Sequence, residues 1–268
     1  MQVRRPVPLP VYFALTFLVA WMLWYAATLL GGESPNQLLF LPGTFAPGIV
    51  AVLLTARSEG AAGVRALLAP LFQWNVEVRW YLFALLFMAA IKLTAALTLR
   101  LATGDWPRFG DTSLILMLAA TLVSTVTLGQ SGEEVGWRGY ALPRLSTRFG
   151  LGPSSLMLGV IWAVWHLPLF FIPGTSTTGQ SFPLYLLQVI ALSVALAWLW
   201  WRTGGSLLLT MLLHAAVNNT KDIVPSAVEG ADAVFGLSTS VVAWVTVLLL
   251  WISAGYFLVR LRGASVPR

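Results

Sequence analysis

Glu133 and Glu134 stand side by side in this chain, and Arg138 lies four residues beyond the second of them. The chain has two histidines, His166 and His214, each set in an apolar stretch, and Asn218 lies four residues beyond His214. Side chains four apart on a helix share a face, so Glu134 can pair with Arg138 and His214 can act together with Asn218. A carboxylate beside a neutral imidazole can take a proton from water. A second imidazole with a carboxamide can stabilise the oxygen that becomes negative when water adds to an amide carbonyl. Together these parts describe amide hydrolysis. They also allow a metal site, because Glu133, His166 and His214 could hold zinc with one position left for water.

Other chemistries lack their residues. With no cysteine there is no disulfide, thiolate metal site or cysteine nucleophile. No Ser-His-Asp arrangement suggests itself, and neither the two-histidine zinc-protease helix nor a glycine-rich phosphate loop is present. The net charge of +6 does not point to nucleic acid, since the basic residues form no stripe with interleaved aromatics.

The elements that must position these groups are set by composition. Hydrophobic residues make up 58% of the chain and charged residues 10%, with mean hydropathy +0.81, against roughly 25% charged in soluble domains. About 20 apolar residues cross a bilayer as a helix. Eight such stretches follow one another, at about 11–30, 38–56, 80–100, 113–135, 154–171, 183–201, 205–221 and 236–259. The expected fold is all-α: a polytopic membrane helix bundle of about eight transmembrane helices, one integral-membrane domain over 1–268 with a catalytic core at about 113–222. The first apolar run is too long for a signal peptide and reads as a retained span. The segment 61–78, broken by Pro70, is expected along the interface, and the run Pro42 to Pro47 breaks the second span.

Of the 16 Lys and Arg, twelve fall on one side of this scheme: Arg4, Arg5, Arg57, Arg65, Arg79, Arg138, Arg144, Arg148, Arg202, Arg260, Arg262 and Arg268. Arg100, Arg108 and Lys221 fall on the other. Basic loops stay in the cytoplasm, so both termini are expected there and the cavity in the cytoplasmic half. Trp74, Trp80, Trp106, Trp137, Trp200 and Trp201 lie near span ends and read as an interfacial belt. The preference for Arg over Lys suggests a GC-rich, prokaryotic source and a place in its cell membrane.

An ionisable group inside a span costs about 2.5–3.5 kcal/mol on insertion scales and is a functional hypothesis by default. Glu33, Glu59, Glu77, Asp105, Asp111, Asp222, Glu229 and Asp232 all fall in loops or at interfaces, which leaves Glu133 and Glu134. Grouped with imidazole and amide these carboxylates can be satisfied, whereas apart each would be stranded, so convergence on one cavity is expected. Lys92, within the third span, has two readings: it snorkels toward an interface, the favoured one, or it faces the cavity and meets a substrate carboxylate. Gln130, Gln188 and Asn219 could line the same cavity or serve as hydrogen-bonding glue between helices.

The residues resemble a known family. Glu133-Glu134-Val135-Gly136-Trp137-Arg138 is similar to its Glu-Glu-x-x-x-Arg motif, and His214-Ala215-Ala216-Val217-Asn218 to its His-x-x-x-Asn motif. Trp162-Ala163-Val164-Trp165-His166 is similar to Phe-x-x-x-His, with Trp for Phe, an exchange expected to bear on packing alone. The family is the CAAX proteases and bacteriocin-processing enzymes, also called type II CAAX prenyl endopeptidases or the Abi family. The resemblance covers about 130–219. It implies an intramembrane endopeptidase in which Glu133 activates water, His166 assists, His214 and Asn218 form the oxyanion site, and Glu134 with Arg138 braces the cavity. Family members have been described as metalloproteases and as metal-independent glutamate proteases. The implied substrate is a peptide or a lipidated, membrane-anchored protein. The rival readings are a transporter coupled to protons or cations and a non-catalytic membrane scaffold or chaperone.

Overall fold

A computed structural model describes residues 7–32, 34–127, 129–220, 223, 233–237 and 240–267. Arg4, Arg5, Glu33, Lys221, Asp222, Glu229, Asp232 and Arg268, assigned above to loops and ends, lie outside the described residues. Among those described, every regular element is helical, as lipid requires of an open chain whose backbone groups must be satisfied internally.

Helix α1 (Leu9–Leu29) buries one stripe, Tyr12, Thr16, Ala20, Trp24 and Ala27, and turns Leu18, Met22, Tyr25 and Leu29 outward. Both faces are largely apolar, because the outer one meets hydrocarbon. Helices α2 (Gln37–Thr44) and α3 (Ala46–Leu68) meet at 59°, where Pro42 and Pro47 deny the backbone a continuous ladder. The Asn36 side chain caps α2 by accepting from the Leu38 amide at 3.0 Å. Helix α3 breaks at Gly60 (φ 69°), a left-handed conformation that glycine adopts at no steric cost. Beyond that break runs the apolar segment expected along the interface.

Helix α4 (Val78–Thr103) is followed by α5 (Leu114–Thr127) and α6 (Gly129–Glu134), and the α5–α6 pair is bent by 55°. A π-helical turn, Val135–Ala141, leads into α7 (Leu142–Phe149). Then come α8 (Leu151–Trp165), a 3-10 turn at Leu167–Phe171, α9 (Phe182–Arg202), α10 (Leu207–Asn219) and α11 (Val241–Leu261).

Among the described residues five helices are long and apolar enough to cross a bilayer, and up to seven if each bent pair counts as one span. These coincide with seven of the expected crossings. The remaining one, 205–221, coincides with α10, whose 13 residues extend about 20 Å at 1.5 Å each, short of a hydrocarbon core of about 30 Å. Not every tryptophan near a span end joins a belt: Trp74 and Trp106 are exposed, but Trp80, Trp137 and Trp200 are buried against other helices.

Small residues set the closest crossings. Around Gly48, Gly132 and Gly136 the α2–α3 bend meets α6 and the π turn. A Cβ on Gly48 would lie 2.6 Å from the Gly132 carbonyl oxygen, and one on Gly136 2.5 Å from Pro47. Gly159 brings α8 equally close to Ile190 of α9, and Ser193 Oγ donates across that crossing to the Ser155 carbonyl at 2.8 Å. With no hydrophobic force between helices in lipid, such close backbone packing and polar glue hold the bundle together.

Candidate active site

Glu133 lies in the last turn of α6, and the bend before it together with the π turn after it aims the side chain into the bundle. π-helical turns of this kind often accompany functional sites. Its Oε2 accepts a 2.6 Å hydrogen bond from the Trp162 indole Nε1 and lies 3.9 Å from His166 Nε2. His166 caps α8 and its Nδ1 lies 2.9 Å from the Trp162 carbonyl. A carbonyl can only accept, so Nδ1 carries a proton and Nε2 faces Glu133. Nε2 of a neutral ring offers a lone pair there.

Glu134 is wholly buried. Its Oε1 accepts from Arg138 Nη1 at 2.8 Å, the expected pair, and lies 3.0 Å from His214 Nδ1. Glu134 therefore orients the His214 ring as well as pairing with the arginine. The Arg138 guanidinium lies 4.5 Å from the centre of the Trp162 ring, and the same indole meets His214 edge-on at 5.1 Å. Asn218 is exposed into the cavity one turn beyond His214, while Asn219 donates to Ser124 Oγ at 2.9 Å and to the Ala215 carbonyl at 2.8 Å.

Glu133, Trp162, His166, His214 and Asn218 line one cavity of about 520 Å³. The sequence expectation of convergence is met, and Gln130, Gln188 and Asn219 join the same wall. Lys92 takes the less favoured of its two readings: it is buried and faces the cavity rather than reaching for an interface. The exchange of Phe for Trp at 162 is more than packing, since only indole supplies the N–H that meets Glu133. Sequence reasoning also missed Tyr185 and the 174–180 stretch, which reads as an ordinary polar loop until folded. The cavity is closed beneath Glu134 and Arg138, toward the end that holds 57–79 and 202–206, and reaches the opposite end at Pro35 and Gly174.

Among the described residues no three His, Asp or Glu side chains are placed to hold a metal, so Glu133, His166 and His214 do not form the ligand set their types allow. Glu133 is turned onto Trp162, and His214 Nδ1 onto Glu134.

Residues 110–220 match the family model described as type II CAAX prenyl endopeptidase Rce1-like, a stretch that contains Glu133, Glu134, Arg138, Trp162, His166, His214 and Asn218. The chain is also 26% identical over 236 residues to a protein named CAAX prenyl protease 2 from Methanococcus maripaludis, covering 80% of this chain and 83% of the relative. Both findings bear out the resemblance carried by the three motifs, and they support a multi-pass membrane protease similar to the type II CAAX prenyl endopeptidases.

Proposed function

We propose that this protein is an endopeptidase that hydrolyses a peptide bond within the membrane, with Glu133 as the general base. The observation that carries this reading is the approach of Glu133 Oε2 and His166 Nε2 to 3.9 Å at the wall of the cavity. A water seated between them can hydrogen-bond to both, and Glu133 removes its proton as the oxygen attacks the scissile carbonyl. The tetrahedral oxyanion is met by the Asn218 amide and by Nε2 of His214. With its Nδ1 donating to Glu134, a His214 ring that also donates from Nε2 carries positive charge, and the Glu134 carboxylate is its counter-charge. The proton held by Glu133 then passes to the leaving amine, and the carbon–nitrogen bond breaks. No step is routed through a metal. The substrate is a polypeptide segment held at the membrane, prenylated or otherwise anchored, as the name of the methanogen relative suggests for that protein.

The test is cleavage of fluorogenic peptides, prenylated and unmodified, by protein purified in detergent, with and without a zinc chelator. Removing a positioned general base or its partner lowers turnover by about 10²–10⁴-fold. Glu133→Ala and His166→Ala should therefore abolish measurable cleavage while leaving the thermal unfolding of the protein intact. Equal cleavage by both variants and wild type would sink the assignment, and chelator sensitivity would replace the carboxylate as the activator of water with a metal.

A further inference from the structure

Among the described residues of the cavity wall, Lys92 and Glu133 are the only Asp, Glu, Lys or Arg side chains. Enclosing an ammonium group among membrane helices is costly, and such residues pair with one another or mark the path of a substrate. The contacts of Glu133 lie on the α8 side, where Trp162 Nε1 donates to its Oε2 and His166 Nε2 lies 3.9 Å away. Lys92 comes from α4, is buried, and has no part in the hydrolysis proposed above.

The depth of Lys92 follows from helix rise. Gln73 Nε2 donates to the Thr203 carbonyl at 2.9 Å, Ser206 Oγ donates to the Gln73 carbonyl at 2.7 Å, and the Arg202 guanidinium lies 5.0 Å from the centre of the Trp80 ring. Helix α4 therefore starts at the end where α9 stops and α10 starts. Close to that end Trp80 and Phe83 meet Trp198 at 5.4 and 5.1 Å, and beyond these rings α4 and α9 both line the cavity. At 1.5 Å per residue, Lys92 stands about 21 Å along α4 from Val78, and Gln188 about 21 Å back along α9 from Arg202. Asn218 stands about 18 Å along α10 from Ser206 by the same count. An ammonium and two carboxamides thus line the cavity at one depth. Helix α4 packs directly on α10, which places Lys92 on the wall beside the proposed oxyanion donor.

A cation with a carboxamide near it is a receptor for a carboxylate. Lysine offers three N–H donors and glutamine two, and hydrogen bonds between ionised groups are about twice as strong as neutral ones. A carboxylate is also the anion that a polypeptide carries, at its C-terminus or on Asp and Glu. Resting on the protease reading above, we infer that Lys92, with Gln188, holds a carboxylate of the substrate, so that the site selects polypeptides with a negative charge close to the scissile bond. With that carboxylate at Lys92 and the scissile carbonyl at Asn218, the direction of the chain across the site is fixed.

Four dye-labelled prenylated peptides separate the two sources of charge: each carries either Glu or Gln near the scissile bond, and ends either as the free acid or as the amide. Cleavage is measured with the wild type, and binding by fluorescence anisotropy with Glu133→Ala, both in detergent. Peptides with the recognised carboxylate should bind and turn over about ten- to hundredfold better than their neutral counterparts. A preference for acid over amide identifies the C-terminal carboxylate, and a preference for Glu over Gln identifies a side chain. Lys92→Met, whose unbranched side chain adapts to the same enclosure, should bring the ratio of charged to neutral peptide toward one. Lys92→Arg should keep most of that ratio, and Lys92→Gln replaces the Met variant if that one does not fold. Equal treatment of charged and neutral peptides by the wild type would overturn the inference, as would an unchanged ratio in Lys92→Met or binding of no peptide at all. The expected binding preference without any cleavage would uphold the carboxylate subsite and remove the protease reading instead.

Discussion

Trp162 holds Glu133 and His166 at once: its indole Nε1 donates to Glu133 Oε2 at 2.6 Å, and its carbonyl accepts from His166 Nδ1 at 2.9 Å. One residue of α8 therefore fixes the carboxylate that would take the proton and the tautomer of the imidazole beside it. Hydrogen bonds to charged groups contribute about 1.5–3 kcal/mol, and about 1.4 kcal/mol is a factor of ten in rate. Trp162→Phe, the residue of the family motif, keeps an aromatic ring between Arg138 and His214 but loses the donor. Its kcat should fall about ten- to hundredfold, with KM and unfolding temperature little changed. A variant as active as wild type would show that the indole hydrogen bond does not position the base.

The two neighbouring asparagines separate catalysis from packing. Asn218 opens into the cavity, whereas Asn219 ties α10 to α5 through Ser124. Removing an oxyanion donor costs about 10²–10³-fold in kcat, and a packing hydrogen bond between membrane helices is worth about 0.6 kcal/mol. Asn218→Ala should lower kcat by about that 10²–10³-fold and leave stability unchanged. Asn219→Ala should do the reverse, lowering the unfolding temperature slightly at near-normal turnover. Steady-state kinetics and thermal unfolding of both variants decide the matter, and equal losses of turnover would undo the distinction.

Glu134 and Arg138 form a pair with neither side chain exposed. Breaking such a pair strands a buried charge, at about 3–5 kcal/mol. Arg138→Ala should therefore unfold at markedly lower temperature in detergent or fail to accumulate in the membrane. Glu134→Gln keeps the shape and can still accept from Arg138, so it should retain more stability. It weakens the counter-charge facing His214, and its kcat should fall by more than its unfolding temperature suggests. Recovery of full turnover in Glu134→Gln would exclude a charge requirement at His214.

Much of this was legible in the chain itself, and the reasons are physical. Apolar runs as long as α1, α4, α9 and α11 have no solvent but lipid. Glu133, His166, His214 and Asn218 stood out because polar groups in such runs are costly unless they meet. The Pro42–Pro47 break announced the α2–α3 bend. The run of glycines at 129, 132, 136 and 139 reads as a loosened end of the fourth expected span, and the α5–α6 bend and the π turn fall there; their form stayed hidden, since no proline marks them. The indole donor of Trp162 was hidden because an aromatic residue reads first as packing. Lys92 stayed between two readings for a related reason: a stem that can reach an interface can equally be enclosed, and only the fold decides which.

The crossing of Gly48 and Gly132 offers a last test, of how the site is held. A Cβ at position 48 would sit 2.6 Å from the Gly132 carbonyl oxygen, one residue before Glu133. That obstacle is backbone and cannot swing aside, so the α3 and α6 segments must separate. Overpacking of this kind costs about 1–3 kcal/mol, and here the separation also shifts Glu133 relative to Trp162 and His166, which α8 holds. Gly48→Ala should lose both stability and kcat, although residue 48 is absent from the cavity wall. Gly255→Ala in α11, where an added Cβ meets nothing within 4 Å, is the matched control and should change neither. Unfolding temperatures and kcat measured side by side check this. Full activity in Gly48→Ala would mean that Glu133 is positioned by its hydrogen bond to Trp162 alone, without help from the glycine crossing.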